Sequence, residues 1–292
     1  MNQGLITDSL VRKFVEWLEE DAPQGDETSR ALIDEDIRVR ATIVAKAPGI
    51  LAAADEVIRV LAALGFEVVQ RKTNGSSLKK GDVVMTLEGE ASKLLLLERT
   101  VLDVLAHCSG VASATRRLVD EARKYNPRVR IAATRKTIPG MRFLDKEAVR
   151  VGGGDTHRLS LSHTPLIKDN HLKIAKNIEK AIARVRAGSS FVNKVEVEVS
   201  NPREALRAAK AGADIVMLDN FSPEEVRRAL DLLRTKGLRE GLQIEVSGNI
   251  SEENIGRYAV LDIDAISSGR ITHSAGIVDM SLEVVKSWKS NA

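Results

Sequence analysis

The chain has 292 residues, a length that suits one large domain or two modest ones. Its 44 basic and 41 acidic residues leave a net charge of only +3, which excludes nucleic-acid binding driven by bulk charge alone. No apolar run approaches the roughly 20 residues that cross a bilayer, and the N-terminus lacks the pattern of a secretory signal. We therefore expect a cytoplasmic protein that binds neither nucleic acid nor membrane.

The first third of the chain predicts a strand-rich α+β unit. Apolar residues recur at helical spacing over residues 7–20, and Thr7 or Asp8 can cap this helix. Alternation over residues 37–46 indicates a strand with one face in water, and a short apolar helix follows over 53–64. Two further strands lie on either side of an Asn-Gly turn.

Residues 91–124 have helical spacing throughout, with a break expected near Ser109-Gly110. The single cysteine, Cys108, excludes an intramolecular disulfide, and its apolar surroundings indicate core packing. The leucines around Arg99 indicate that this part of the helix is mostly buried, and a buried arginine needs a partner. It either forms a salt bridge or reaches into a binding site, such as that of a neighbouring subunit. The candidate salt-bridge partners are Glu88, Glu98 and Asp103.

From about residue 128 onward, short apolar strands alternate with amphipathic helices, which predicts parallel strands joined by helical crossovers. Each strand ends in polar or charged residues, as expected of a (β/α) barrel whose mouth holds the active site. The segment is too short for eight β-α units, so the barrel should be incomplete. These strand ends are Thr134-Arg135-Lys136, Glu198, Asp219-Asn220, Ser247-Gly248-Asn249 and Ser268-Gly269.

The predicted fold is therefore α/β, with an N-terminal α/β domain and an incomplete TIM-type barrel. We place the first domain at residues 1–110 and the barrel, with the catalytic site, at 111–275. A C-terminal helix is expected over 276–292, centred on 279–289, where it could pack back on the first domain.

Residues 134–171 concentrate basic side chains near two strand ends. An arginine grips a carboxylate through two parallel N–H bonds, so this segment suits an anionic substrate; a solvated charged loop is the alternative. The triple glycine at 152–154 is not a dinucleotide fingerprint, although it could let the backbone approach a ligand. The basic residues are Arg135, Lys136, Arg142, Lys146, Arg150, His157, Arg158, Lys168 and His171.

Two further groups stand at late strand ends. Glu198 and Asp219 could hold Mg²⁺ or bond ribose hydroxyls, or each could cap the next helix. The turns at residues 247–249 and 268–270 could bind phosphate or be ordinary β-α turns. Their repetition in consecutive units favours phosphate.

The chain resembles the quinolinate phosphoribosyltransferase family over nearly its whole length. The segments EDAPQGDETS and LLLLERTVLDVLAHCSGVASATRRLV are similar to two N-terminal elements of that family. They are followed, in the family's order, by TRKTIPGMR, KEAVRVGGGDTHR, LIKDNH, VEVEVS, IVMLDNF, SGNI and ISSGRITHS. The combination of TRKTIPGMR with GGGDTHR and IKDNH is specific.

The resemblance implies an N-terminal α/β sandwich, an incomplete α/β barrel, and transfer of a phosphoribosyl group from phosphoribosyl pyrophosphate to quinolinate with loss of CO2. This reaction makes nicotinate mononucleotide for NAD synthesis. It also implies a homodimer with shared active sites, and such dimers could assemble further into a hexamer, a trimer of dimers. Mg²⁺ bound with phosphoribosyl pyrophosphate is the implied cofactor.

The resemblance also implies residue roles. Arg135, His157 and Arg158 bind the quinolinate carboxylates beside Thr134, and Arg99 is lent across the dimer. The catalytic residues are Lys136 and Lys168, between the two substrates, and Glu198 and Asp219, which meet the ribose hydroxyls and Mg²⁺. The turns that hold the 5′-phosphate are Ser247, Gly248 and Asn249, and Ser268, Gly269 and Arg270. The chain departs from the family pattern at Asp103, Thr156, Ser160 and His163.

Three other functions compete with this one. A molybdate-associated paralogue group shares the fold and much of the motif set, but the intact IKDNH segment with Lys168 favours quinolinate. A nicotinate-specific phosphoribosyltransferase needs fewer cations, because its substrate has one carboxylate. A phosphosugar-binding barrel without activity would have no need of a Mg²⁺ site at Glu198 and Asp219.

Overall fold

The computed structural model describes residues 3–290, with the backbone alone for residues 3–8. The first elements are α1 (Gln3–Asp21), α2 (Glu27–Leu32), β1 (Ile37–Ala45), β2 (Gly49–Ile50), α3 (Ala54–Ala63), β3 (Glu67–Arg71), β4 (Ser77–Leu78), β5 (Val83–Glu90) and α4 (Ala91–Arg123). They are followed by β6 (Arg130–Ala132), α5 (Arg142–Val151), β7 (Leu166–Ile167), α6 (Asp169–Ala175), α7 (Ile178–Gly188), β8 (Glu196–Val199), α8 (Pro202–Lys210), β9 (Ile215–Asp219), α9 (Pro223–Thr235), β10 (Gln243–Ser247), α10 (Ile255–Ala259), β11 (Ala265–Ser267), α11 (Arg270–His273) and β12 (Met280–Lys289). Across the described residues, none of these helices is both long and apolar enough to cross a membrane.

The chain divides into two compact units, one of Met1–Ser113 with Ala275–Ala292 and one of Ala114–Ser274. The first unit contains a four-stranded antiparallel sheet in the order β12-β1-β5-β3. Strand β1 alternates as predicted, since Ala41 and Ile43 are fully buried. Helix α1 begins at Gln3, so Thr7 and Asp8 lie inside the helix and do not cap it.

The predicted C-terminal helix over 279–289 is wrong, because Met280–Lys289 forms strand β12 (residues 291 and 292 lie outside the described part). This strand pairs with β1 along its whole length, from Ile37 opposite Lys289 to Ala45 opposite Met280. The apolar residues of this segment fit a spacing of two about as well as a helical spacing. The segment forms a strand and not a helix because the backbone N–H and C=O groups along this edge of β1 need hydrogen-bond partners when they are buried.

The predicted break near Ser109-Gly110 is also wrong, because α4 runs unbroken through this point. The two residues serve packing instead. Ser109 Oγ accepts a hydrogen bond from the backbone N–H of Ala52 at 3.1 Å. A Cβ atom on Gly110 would lie 1.8 Å from the carbonyl oxygen of Gly276, so only glycine allows this close approach.

Replacing Gly110 by alanine should therefore destabilise the protein by at least about 3 kcal/mol, because the obstructing atom is backbone and cannot rotate away. Gly188, at the end of α7, is the matched control: a Cβ there meets nothing within 4 Å. Gly188→Ala should be neutral or slightly stabilising. Urea unfolding of both variants measures the difference, and equal midpoints would contradict the close contact.

The second unit confirms the predicted incomplete barrel. Its six parallel strands lie in the order β6-β11-β10-β9-β8-β7. From β7 to β11 each strand lies beside its predecessor in the chain, and β11 returns to pair with β6. An open doubly wound sheet would instead reverse its order at a switch point. Among the described strands of this sheet, only β6 and β7 lack a ladder on one side, so six strands form a barrel that stays open, as expected of a segment too short for eight β-α units.

Candidate active site

A cavity of about 430 Å³ lies at the carboxyl ends of the barrel strands. The alternation of each strand aims every second side chain into it. Most of the predicted site residues line this cavity: Thr134, Arg135, Lys136, His157, Arg158, Lys168, Glu198, Asp219, Ser247, Gly248 and Asn249. Strand ends far apart in sequence thus form one polar mouth, as the barrel prediction required.

The other predicted residues lie elsewhere. Ser268 is buried and its hydroxyl donates to the carbonyl of Ile250 at 3.1 Å. Gly269 lies against the Lys136 side chain, where an added Cβ would be 2.8 Å from Cδ. The 268–270 turn therefore supports the cavity wall beside Lys136, with Arg270 exposed.

Arg99 belongs to the first unit, on α4. Its side chain is 64% exposed and pairs with Asp103 at 3.2 Å. Of the partners considered from sequence, Asp103 is the one observed, while the expectation of a buried arginine is wrong. An exposed i,i+4 pair contributes only about 0.3–0.5 kcal/mol, so the guanidinium can exchange this partner at little cost.

The cavity holds two carboxylates beside two lysines. Lys168 Nζ donates to Glu198 Oε2 at 2.8 Å. Burial and the charge of Glu198 raise the pKa of Asp219, against the hydrogen bond that it accepts from Asn220. Two carboxylates that repel each other at a cavity wall attract cations, so this edge suits a divalent ion or a polyhydroxylated ligand held with one.

Two arginines face the same cavity. Burial and the neighbouring charge of Arg135 lower the pKa of Arg158, so the two guanidinium groups repel each other. Arg135 Nε is buried and has no hydrogen-bond partner within the described chain. A buried donor of this kind is costly when unpaired. An anionic ligand with more than one carboxylate would relieve both the repulsion and the missing bond.

A cluster of His157, Glu196 and Glu245 lies at the floor of the cavity, which His157 and Glu245 line and beneath which Glu196 is fully buried. His157 Nε2 lies 3.2 Å from Glu245 Oε2 and 3.5 Å from Glu196 Oε2. The backbone N–H of Arg158 donates to His157 Nδ1 at 2.7 Å. Burial opposes a charged ring, but hydrogen bonds with the two carboxylates outweigh it and raise the pKa of His157 to about 10. The cluster therefore retains one additional proton at neutral pH.

Three such side chains could in principle ligate a metal, since their ligand atoms lie within 4.8 Å of one another. The contact at Nδ1 argues against this. A metal-bound histidine normally donates its second ring N–H to an acceptor, whereas Nδ1 of His157 accepts. The ring hydrogen is therefore on Nε2, where it faces Glu196 and Glu245.

The backbone at the cavity is held in unusual conformations. His157, Asn220 and Asn249 all have positive φ, at 52°, 56° and 49°. A Cβ on Gly248 would lie 2.1 Å from the side-chain oxygen of Asn220. Non-glycine residues in this region cost energy and concentrate at functional sites.

Buried Lys146 supports the segment that carries His157 and Arg158. Its side chain is 1% exposed and donates to the carbonyl of Thr156. Burial, with the charge of Arg142, lowers the pKa of Lys146 to about 8. The basic segment predicted from sequence is thus only partly a binding surface, because this lysine serves the backbone.

Several cavity residues were not chosen from the sequence. Glu245 lies two positions before Ser247 on β10, so its side chain is on the same face as a strand-end residue that had been chosen; this alternation was the available signal. Two departures from the family pattern contact each other, since Ser160 Oγ lies 2.8 Å from His163 Nδ1. The other cavity residues that were missed are Ala133, Leu166, Met217 and Ser267, while Asn220 had been named as a strand end without a role.

The mouth of the incomplete barrel combines arginines, lysines and paired carboxylates. This combination of fold and site defines a class of enzymes that act on polyanionic substrates. The family model for the quinolinate phosphoribosyl transferase N-terminal domain matches residues 26–109, and the model for the C-terminal domain matches residues 111–283. The chain therefore belongs to the quinolinate phosphoribosyl transferase family.

Named relatives agree with this assignment. The probable nicotinate-nucleotide pyrophosphorylase (carboxylating) of Methanothermobacter thermautotrophicus is 46% identical, covering 92% of this chain and 96% of the relative. The nicotinate-nucleotide pyrophosphorylase (carboxylating) of Homo sapiens is 38% identical, covering 92% and 89%. The crystal structure of NadC from Streptococcus pyogenes is similar with a TM-score of 0.86 at 37% identity, covering 98% and 99% of the two chains.

Proposed function

We propose that this chain transfers the phosphoribosyl group of phosphoribosyl pyrophosphate to quinolinate, with release of pyrophosphate and CO2. The product is nicotinate mononucleotide, an intermediate of NAD synthesis. One observation carries the proposal: two arginines suited to a dicarboxylate share a cavity with two lysines and two carboxylates suited to a ribose and its pyrophosphate.

Arg135 and Arg158 grip the two quinolinate carboxylates, with Thr134 and His157 beside them. The repulsion between the guanidinium groups supports this role, because a dianion placed between them neutralises both. Nicotinate, with one carboxylate, would leave part of that charge unpaired.

Glu198 and Asp219 hold the ribose hydroxyls together with Mg²⁺. Their mutual repulsion, seen in the raised pKa of Asp219, fits a divalent cation between ligand and protein. When bound, Mg²⁺ supplies positive charge to the pyrophosphate group. The 5′-phosphate lies at Ser247, Gly248 and Asn249, where backbone amides are available. The second turn, Ser268, Gly269 and Arg270, completes this wall.

Each of these residues has a role at a particular step of the reaction. The quinolinate nitrogen attacks C1 of the ribose as the bond to pyrophosphate breaks, and positive charge develops on the sugar. Glu198 and Asp219 stabilise that charge, while Lys136 and Lys168 stabilise the departing pyrophosphate. The carboxylate next to the now quaternary nitrogen then leaves as CO2, because that nitrogen stabilises the electron pair left on the ring. Positioning and electrostatics carry most of the rate.

The test is CO2 release from quinolinate labelled in its 2-carboxylate, with phosphoribosyl pyrophosphate and Mg²⁺. We expect release only when all three are present, and no product from nicotinate. Pyrophosphate formed with another acceptor, without CO2 from quinolinate, would overturn the assigned acceptor and favour the related paralogue group.

A homodimer with shared sites is part of this proposal, with Arg99 reaching the cavity of the partner subunit. Its exposure and weak pairing with Asp103 support a second partner. Arg99→Ala should raise the apparent Kd for quinolinate by about 10-fold or more. Unchanged affinity would contradict the shared site.

Mixing inactive Arg99→Ala and Lys136→Ala subunits tests the same point in another way. Mixed dimers contain one site with both native residues, so part of the activity should return. Demonstrated mixed dimers without recovery would contradict sharing. Assembly into a hexamer and a cytoplasmic location complete the proposal.

A further inference from the structure

The barrel has a second cavity, of about 550 Å³, at the opposite end from the active site. It lies where the strands begin, since Ile215, Gln243 and Ala265 are among its lining residues. Its rim includes Arg128 and Arg130, which are exposed to solvent. Transfer of the phosphoribosyl group does not require this cavity.

Three residues line both cavities: His157, Arg158 and Glu245. The cluster on the cavity floor therefore stands between the active site and an opening to solvent at the other end of the barrel. Glu245 Oε2 bonds the ring of His157 at 3.2 Å, and Oε1 is buried without a hydrogen-bond partner among the described residues. A buried oxygen of this kind needs either a hydrogen-bond donor or a hydrogen of its own.

The reaction has a proton requirement that the proposed function leaves unassigned. When the bond between C2 and the carboxylate breaks, its electron pair stays on C2. One proton must then bond to C2 to give nicotinate mononucleotide. A general acid that supplies such a proton must lie beside the reacting ring, and typically contributes about 10²–10⁴-fold to the rate.

We propose that the His157–Glu245 pair donates this proton to C2, and that solvent entering through the opposite cavity restores it. The proton leaves from Oε1 of Glu245, the oxygen without a partner among the described residues, while Oε2 keeps its hydrogen bond with Nε2 of His157. After donation the pair is one proton short and carries the electron pair of the broken O–H bond. This inference rests on the proposed function.

Three observations favour this pair over the lysines of the cavity. The raised pKa of His157 keeps one additional proton within the cluster at neutral pH. The ring is held by the backbone N–H of Arg158 and by Glu196, so the donor is fixed before the substrate arrives. Lys168 is already engaged with Glu198, on the side proposed for the ribose.

The test separates the two chemical steps in a single turnover, with enzyme in excess over 2-carboxyl-labelled quinolinate. Glu245→Gln keeps the size of the side chain and removes the acid. Pyrophosphate formation should stay within about threefold of wild type, while formation of nicotinate mononucleotide, which requires the proton on C2, should fall about 10²-fold. Glu245→Asp retains an acid and should recover part of the loss. Glu240→Gln, an exposed change of the same type, should leave both steps unchanged.

Equal losses in both steps would overturn the inference, because a structural or binding defect affects transfer as well. Unchanged formation of nicotinate mononucleotide in Glu245→Gln would also overturn it. If Glu245→Gln does not fold, His157→Asn and Glu245→Asp can each be compared with wild type at the same two steps. Failure of the proposed function is distinct, since wild-type protein would then release no CO2 from quinolinate.

Discussion

Arg158→Met should reduce kcat/KM for quinolinate by about 10²- to 10³-fold, equivalent to about 3–4 kcal/mol of lost transition-state binding. Arg158 lines the cavity and lies near Arg135, whose charge contributes to lowering its pKa. In the proposed complex, the second carboxylate of quinolinate would lose its bidentate partner in a site shielded from water. Removal of one partner from such a pair costs far more than the pair itself contributes.

Two variants locate the cause of this loss. Arg158→Lys keeps the charge but not the planar fork, so about 10-fold of activity should be lost. Arg184→Met, an exposed change on α7, should have no effect. Initial rates over a range of quinolinate concentrations measure all three variants. If Arg158→Met raised KM no more than Arg184→Met, Arg158 would not bind the substrate.

Arg158→Met should not lower the stability of the protein. Its guanidinium faces another positive group, and its side chain makes one long hydrogen bond to the carbonyl of Thr164, at 3.4 Å. Removal relieves repulsion, as is common where a site is arranged for a ligand and not for folding. Loss of activity with unchanged or higher thermal stability would thus separate a binding role from a structural one.

The parts of the site that could be predicted lie at strand ends. Glu198, Asp219 and Ser247 follow apolar strands in a β-α alternation, and parallel strands bring their carboxyl ends to one mouth. Local sequence patterns and the handedness of the crossovers were therefore enough to predict that these side chains line one cavity. Glu245 could not be chosen in the same way, because a carboxylate in mid-strand is expected to be paired or excluded from a core.

The wrong predictions have a different cause: the contacts that decide them are between residues far apart in the sequence. The final strand was predicted as a helix because its partner, β1, lies more than 200 residues earlier in the chain. Gly110 indicated a helix break, although its reason is the carbonyl of Gly276 beside it. Lys146 looked like part of a substrate-binding charge cluster, while burial makes it a support for Thr156. No periodicity within one segment contains these contacts.

Asp219→Asn should reduce kcat by about 10³-fold and raise the Mg²⁺ concentration needed for half-maximal rate. Asp219 is partly buried and is held near Glu198 against electrostatic repulsion, and both effects raise its pKa. An asparagine keeps the shape and the hydrogen-bonding oxygen but removes the charge that a divalent cation and a positively charged sugar require. The effect should therefore fall on phosphoribosyl pyrophosphate and Mg²⁺ and leave quinolinate binding within about twofold.

Asp231→Asn is the matched control, because Asp231 is 72% exposed on α9 and forms only an i,i+3 pair with Arg234. Its rate and Mg²⁺ dependence should equal those of wild type. Titration of Mg²⁺ at fixed phosphoribosyl pyrophosphate, with direct measurement of quinolinate binding, distinguishes the two substrates. An Asp219→Asn variant that kept the wild-type Mg²⁺ dependence would move the cation to other ligands. The carboxylate pair would then act on the ribose alone, since its hydroxyls can be held by hydrogen bonds to oxygen acceptors without a metal.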